Sequence, residues 1–279
     1  MTYHPAFSFE VVEIGEAYQI RFEDSFLCTH GSIPKVLSHP NKSFLEELVA
    51  EFQSFSDITT TADNTIAVDG DNPFPFCLYG IYSDSQNIDY DTLQREYLPA
   101  FLYFDGVLRD VAGVERLDQL NCYECVHNHY RKLLGQEGFE FLLEAGESAY
   151  FRVAAGMSEA EMIAELGEHE VLTESKFKES EVCVALIEEF RRLSHPERAA
   201  CIALRDAHDS ASLLASMAFI QGGISSNEYA TAALAALMIR PAFSDAAGDY
   251  QNIYAQVRAD AMTAQVFVKH MRSEDLELE

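Results

Sequence analysis

The densest group of reactive side chains is Cys122-Tyr-Glu-Cys125-Val-His127-Asn-His129. Wound into a helix, Cys122, Cys125 and His129 fall at i, i+3 and i+7 and share a face. Two thiolates and an imidazole are three of the four ligands of a tetrahedral zinc site, and paired thiols at this spacing can also switch with redox state. A structural zinc site draws a second ligand pair from a distant stretch, and Cys28, Cys77, Cys183 and Cys201 form no second CxxC. The same face runs on through Val126, Tyr130, Leu133 and Leu134, where Cys is a small buried hydrophobe. The segment is thus either a core face or a metal or thiol site on Cys122, Cys125 and His129.

Other combinations carry less chemistry. His208-Asp209-Ser210 has the residue types of a hydrolase triad, yet adjacent helix positions point in different directions. Asp69-Gly70-Asp71-Asn72-Pro73 is a turn cluster without the spacing or closing Glu of an EF-hand. No nucleophile elbow, phosphate loop, dinucleotide fingerprint or HExxH is present. Carboxylates abound, but nothing singles out an acid–base pair. On its motifs the chain reads as a non-enzyme without a cofactor.

The elements that would carry these residues follow from periodicity. Phe9, Val11 and Val12, then Tyr18, Ile20 and Phe22 alternating with polar neighbours, predict an antiparallel meander that continues through Ile33–Leu37. Ser43 with Glu46 predicts a capped helix with Phe44, Leu45, Leu48, Val49 and Phe52 on one face and Glu51 off it. Ser54–Asn64 reads as a loop. Helices are predicted over Ile88–Asp105, broken at Pro99, over Leu117–Ala145, after Ser158, over Ser180–Leu193 and after Ser194, with a short strand or connection at Ala149–Val153. A last helix starts at Ser244 or Asp245.

Between them lies Ser210–Ile239, two uncharged, Ala-rich runs joined by Gln221–Glu228. Ala has the best helix propensity, and a helix apolar all round is buried all round. Gly222 or Gly223 can close the first run, and Ser225 with Glu228 can open the second. Each run falls short of the ~20 apolar residues that span a bilayer, so this is a core hairpin. The fold class is α+β: a small β-rich domain with one helix over 1–85, followed by a larger, mostly helical domain over 86–279.

Composition narrows the function classes. With 48% apolar residues in 279, a large core is possible. Against 46 acidic residues stand 19 basic ones, a net charge of -27, the opposite of a nucleic-acid footprint and unsuited to anionic lipid. The opening Met-Thr-Tyr-His-Pro-Ala is unlike a signal peptide, and Glu10, Glu13 and Glu16 are unlike a transit peptide. The expected location is the cytoplasm, and the expected partner a protein.

Several stretches resemble the ATP synthase assembly chaperones that bind the alpha subunit, the ATP-twelve family. They are Tyr18-Gln-Ile-Arg-Phe-Glu-Asp, Leu27-Cys-Thr29, Val36-Leu37, Leu45 through Val49-Ala-Glu-Phe-Gln53, Ser212-Leu-Leu-Ala-Ser-Met-Ala-Phe-Ile-Gln-Gly222, and the last helix with Arg258 and Phe267. The likeness covers both ends of the chain and is loose over Asp57–Leu193. It implies a non-catalytic chaperone that holds the alpha subunit during assembly of the catalytic head, with Glu228, Asp245, Asp249 and Tyr250 as candidate partner-binding residues. The family has Trp where this chain has Phe52, and its acidic pair falls on Ala236-Leu237. That departure points to an adaptor with a different protein client as the alternative.

Overall fold

A computed structural model describes residues 8–30, 33–55, 58–61, 63–68, 76–108, 114–135, 174–207, 212–238 and 250–275, together with 160 and 164. The protein is α+β: an N-terminal four-stranded antiparallel sheet is followed by mostly helical segments. It forms two compact units, Met1–Ile88 with Thr263–Glu279, and Asp89–Met262. The first therefore includes a C-terminal stretch that a division at residue 85 leaves with the helices.

In the first unit β2 (Ala17–Phe22) pairs with β1 (Phe9–Ile14), β3 (Ser25–Phe26) and β4 (Ser38–His39). The β1–β2 register runs from Phe9↔Phe22 to Ile14↔Ala17, and Gly15 takes the positive φ of the connecting turn. The alternation in β2 buries Ile20 and Phe22. Ile33–Leu37 does not become the expected strand. Val36 makes an isolated bridge to Cys28, flanked by bonds from the Thr29 N–H to the Lys35 carbonyl and from the Leu37 N–H to the Leu27 carbonyl; Pro34 has no N–H for a ladder, and regular pairing resumes at β4. A hairpin of β5 (Ile58–Thr60) and β6 (Ile66–Val68) occupies part of the expected loop over Ser54–Asn64, in keeping with the β preference of Ile and Thr.

Helix α1 (Lys42–Ser54) is capped by Asn41, whose Oδ1 accepts from the Phe44 N–H at 3.3 Å. Ser43, the expected cap, already lies inside the helix. The face it buries is the expected one, with Phe44, Leu45, Leu48 and Phe52. Glu51 also turns inward: its carboxylate accepts from the N–H groups of Leu78 and Tyr79 at 2.8 and 3.1 Å, closing the N-terminus of α2 (Leu78–Ser85). Burial raises the Glu51 pKa, and those N–H groups oppose the rise.

The second unit opens with α3 (Tyr90–Thr92), a π turn over Leu93–Tyr97, α4 (Leu98–Tyr103) and a 3₁₀ turn over Gly106–Leu108. Then come α5 (Val114–Leu134), α6 (Glu174–Lys178), α7 (Glu181–Arg192), α8 (His195–Ala207), α9 (Leu213–Ile220) and α10 (Ser226–Met238). The last helix, α11 (Tyr250–Asp275), contributes its residues up to Met262 here and the rest to the first unit. Within the first unit Phe267 packs on Phe44, and His39 Nε2 lies 3.3 Å from the Met271 sulfur. Helix α5 stops at Leu134, short of Ala145, with Gly135 in the left-handed conformation that closes helices. Asp69–Pro73, Ala149–Val153, Ser158, His208–Ser210 and the Ser244–Asp245 helix start lie outside the described residues.

The α9–α10 hairpin is the core element its composition predicts. All eight residues of α9 are buried. Ser212 Oγ caps its start, accepting from the Ala215 N–H at 3.0 Å. At its end the N–H groups of Gly222 and Gly223 reach the carbonyls of Phe219 and Ala218, with Gly222 at φ +74, the pattern of a Schellman cap. Ser225 and Glu228 then form the reciprocal box that opens α10.

Candidate functional site

Of the side chains singled out for chemistry on α5, His129 meets the hairpin connector and the two cysteines are half-buried. His129 Nε2 lies 2.9 Å from Gln221 Oε1 in the hairpin connector. A Cβ at Gly223 would lie 2.0 Å from its Nδ1, so the imidazole occupies the room a side chain there would need. His127 donates from Nε2 to the Val107 carbonyl at 2.8 Å, and Tyr130 donates its hydroxyl to the Leu214 carbonyl at 3.0 Å. Cys122 and Cys125 are half-buried. Burial and then the Glu228 charge raise the Cys125 pKa, which favours the thiol over the nucleophilic thiolate. Among the described residues no group of three or more His, Cys, Asp or Glu side chains could hold a metal ion.

The four residues proposed for partner contact do not form one described surface. Glu228 is exposed, but its carboxylate accepts from both the N–H and the hydroxyl of Ser225, and those bonds lower its pKa. Tyr250 is the first residue of α11. Asp245 and Asp249 lie outside the described residues.

A different face stands out, on the run from the π turn through α4. Pro99 has no N–H to offer the carbonyl four residues back, and the ladder shifts to a longer step in which the Leu98 N–H bonds to Leu93 O. Such π turns recur at functional sites. Leu98, Pro99, Leu102 and Tyr103 are buried, and Tyr103 stacks against Phe177 of α6. Turned outward are Tyr97 and Phe104, 52% and 49% exposed, with the half-buried Phe101 between them. At i, i+4 and i+7 they make one helical stripe. The guanidinium of Arg205, on α8, lies 3.5 Å above the Phe101 ring and pairs with Asp206.

Bonds at both ends set this stripe. Tyr90 donates its hydroxyl to the His195 carbonyl at 3.3 Å and carries the Arg198 guanidinium over its ring. Arg191 Nε donates to Gln94 Oε1 inside the π turn at 3.0 Å. Next to Phe104, the fully buried Asp105 carboxylate accepts from the Val107 N–H, the Ser212 hydroxyl and the Leu214 N–H at 3.0, 2.7 and 3.0 Å. Burial raises the Asp105 pKa against the pull of those donors. Asp105 thus joins the end of α4 to the start of α9, so the exposed stripe is fixed to the buried hairpin.

Sequence reasoning placed a helix here but chose none of these aromatic residues. The available signal was a second aromatic period, Tyr97-Phe101-Phe104, beside the apolar period of Leu98 and Leu102. Comparison with protein-family models, with curated proteins and with solved structures finds no match. Among the described residues no helix is long and apolar enough to cross a membrane.

Proposed function

We propose that this protein is a non-catalytic binding protein that holds a protein client on the stripe of Tyr97, Phe101 and Phe104. The observation that carries this reading is the exposure of Tyr97 and Phe104 beside an Arg-capped ring, because Tyr, Phe and Arg are enriched in protein interfaces. The excess of carboxylates suits steering toward a basic client. The work is that of a holdase, covering an apolar surface that would otherwise aggregate. The ATP synthase alpha subunit, client of the chaperones this chain resembles, is the first client to test. Ala236-Leu237, standing where those chaperones carry their acidic pair, favours the adaptor reading, in which another protein takes the alpha subunit's place.

The test is a pull-down from the host with the tagged full chain, repeated with Tyr97→Ser/Phe104→Ser. Recovery of the alpha subunit by the parent protein but not by the variant supports the chaperone reading. A different protein captured with the same dependence on the stripe supports the adaptor. Equal capture by parent and variant, or no specific capture, overturns the proposed surface.

A further inference from the structure

We infer that Cys122 and Cys125 form a redox-active dithiol, which closes into a labile disulfide on α5 and thereby loosens that helix from the hairpin connector. The inference stands apart from the client-binding stripe. All six cysteines are reduced: Cys77, Cys183 and Cys201 are buried, while Cys28, Cys122 and Cys125 are half-buried and keep some surface open to a small reagent. Cys28 belongs to the first unit, whereas Cys122 and Cys125 share α5 at i and i+3. That spacing sets their Cα atoms about 5 Å apart, inside the roughly 4.4–6.8 Å that disulfides span. The Cβ atoms of such a pair start about 5–6 Å apart and must close to about 4 Å. Cys125 already leans toward its partner, its thiol donating to the Cys122 carbonyl at 3.9 Å, and Cys122 lies close enough for its charge to act on Cys125. Tightening the turn strains the bond, and strained, accessible disulfides are the readily reduced, regulatory ones.

Burial and the Glu228 charge hold Cys125 as a thiol, so Cys122 attacks first. Its thiolate displaces one half of a small disulfide such as oxidised glutathione, forming a mixed disulfide and releasing a thiolate that takes up a proton. Cys125 then gives up its proton and attacks the Cys122 sulfur, closing the Cys122–Cys125 bond and expelling the second half. Two electrons and two protons pass to the reagent, which leaves as two thiols. What the closure moves lies one turn on. His129, four residues past Cys125, meets Gln221 at 2.9 Å and fills the room beside Gly223. Glu228, whose charge reaches Cys125, opens α10 at the other end of the connector. Drawing Cys125 toward Cys122 shifts both contacts, and the connector they hold loosens.

The test treats the full chain with glutathione at a series of oxidised-to-reduced ratios, blocks the remaining thiols with N-ethylmaleimide, and maps the peptides by mass spectrometry. A Cys122–Cys125 link is expected, reopened by dithiothreitol. Cys125→Ser should instead retain one glutathione on Cys122, and Cys122→Ser should take none on Cys125. Hydrogen exchange over Gln221–Glu228 should be about threefold faster in the oxidised chain, with exchange in β2 unchanged. The link and the exchange are both read on the parent, so a variant that melts early leaves the test standing. No link, a glutathione kept on Cys122 of the parent, or reaction at Cys28 alone sinks the inference. A link with unchanged connector exchange overturns the coupling to the hairpin, and glutathione on Cys125 of Cys122→Ser overturns the order of attack.

Discussion

Helices α9 and α4 are both short and uncharged, Leu-Leu-Ala-Ser-Met-Ala-Phe-Ile and Leu-Pro-Ala-Phe-Leu-Tyr, yet they end in opposite situations. Helix α9 is buried on every side, and small Ala and Ser side chains let its neighbours approach. Helix α4 has a proline at its second residue and a π turn before it, and buries one side while Tyr97 and Phe104 are exposed and Phe101 lies half-buried under Arg205. Both are tied to Asp105. One carboxylate therefore serves the start of a core helix and the 3₁₀ turn that follows the surface helix. Apolar composition alone does not separate a fully buried helix from one with an exposed side; what separates them is how many sides other elements cover.

Stability measurements break or sharpen that contrast. The largest loss is expected for Asp105→Ala, which strands the Val107 and Leu214 N–H groups and the Ser212 hydroxyl in the core. Urea unfolding should show a loss of about 3 kcal/mol. A loss below about 1 kcal/mol would mean that Asp105 does not join the two helices. Gly223→Ala should follow, at about 2 kcal/mol, because its Cβ drives the His129 ring out of place. Combining it with His129→Ala should recover part of the loss in a double-mutant cycle, and strict additivity would refute the clash.

Ser225→Ala, at the exposed start of α10, should cost about 1 kcal/mol near neutral pH. Its pH dependence should run opposite to that of Asp105. The Asp105 pKa is raised on folding, chiefly by burial, so its protonated form contributes stability that is fully present below the ordinary carboxylate pKa of about 4 and is lost as pH rises through the folded value. The advantage of the parent over Asp105→Asn should therefore shrink from acid toward neutral pH. The Glu228 pKa is lowered by Ser225, so that contribution is present above the ordinary value and lost as pH falls through the folded one. The advantage of the parent over Ser225→Ala should shrink toward acid. Parallel profiles would contradict the assignment of a buried and an exposed cap.

The smallest effect is expected on the stripe. Tyr97→Ser should change stability by no more than about 0.5 kcal/mol while weakening client binding. A large loss of stability would make Tyr97 a core residue after all.

The hairpin was legible because its signals are local. Uncharged Ala-rich runs, a Gly that can take positive φ, and a Ser three residues before a Glu each state their meaning within a few residues. The same holds for the alternation in β2 and the buried face of α1. Longer-range contacts were not legible. Glu51 looks like a solvent residue of α1 until α2 brings its N-terminus to it. Asn41 displaces Ser43 as the cap because the turn after Pro40 leaves it extended. Cys122, Cys125 and His129 do share a helix, but the Gln221 amide and Gly223 that meet His129 come from the distant hairpin connector.

By itself, then, the sequence determined the α+β class, the buried hairpin, and a net charge of -27. These depend on composition and on spacings shorter than two helical turns. Only the tertiary structure decided that Asp105 is internal, that His129 serves packing, and that Tyr97 and Phe104 face outward. Burial is a property of what packs against a residue from far along the chain, and no local pattern contains it.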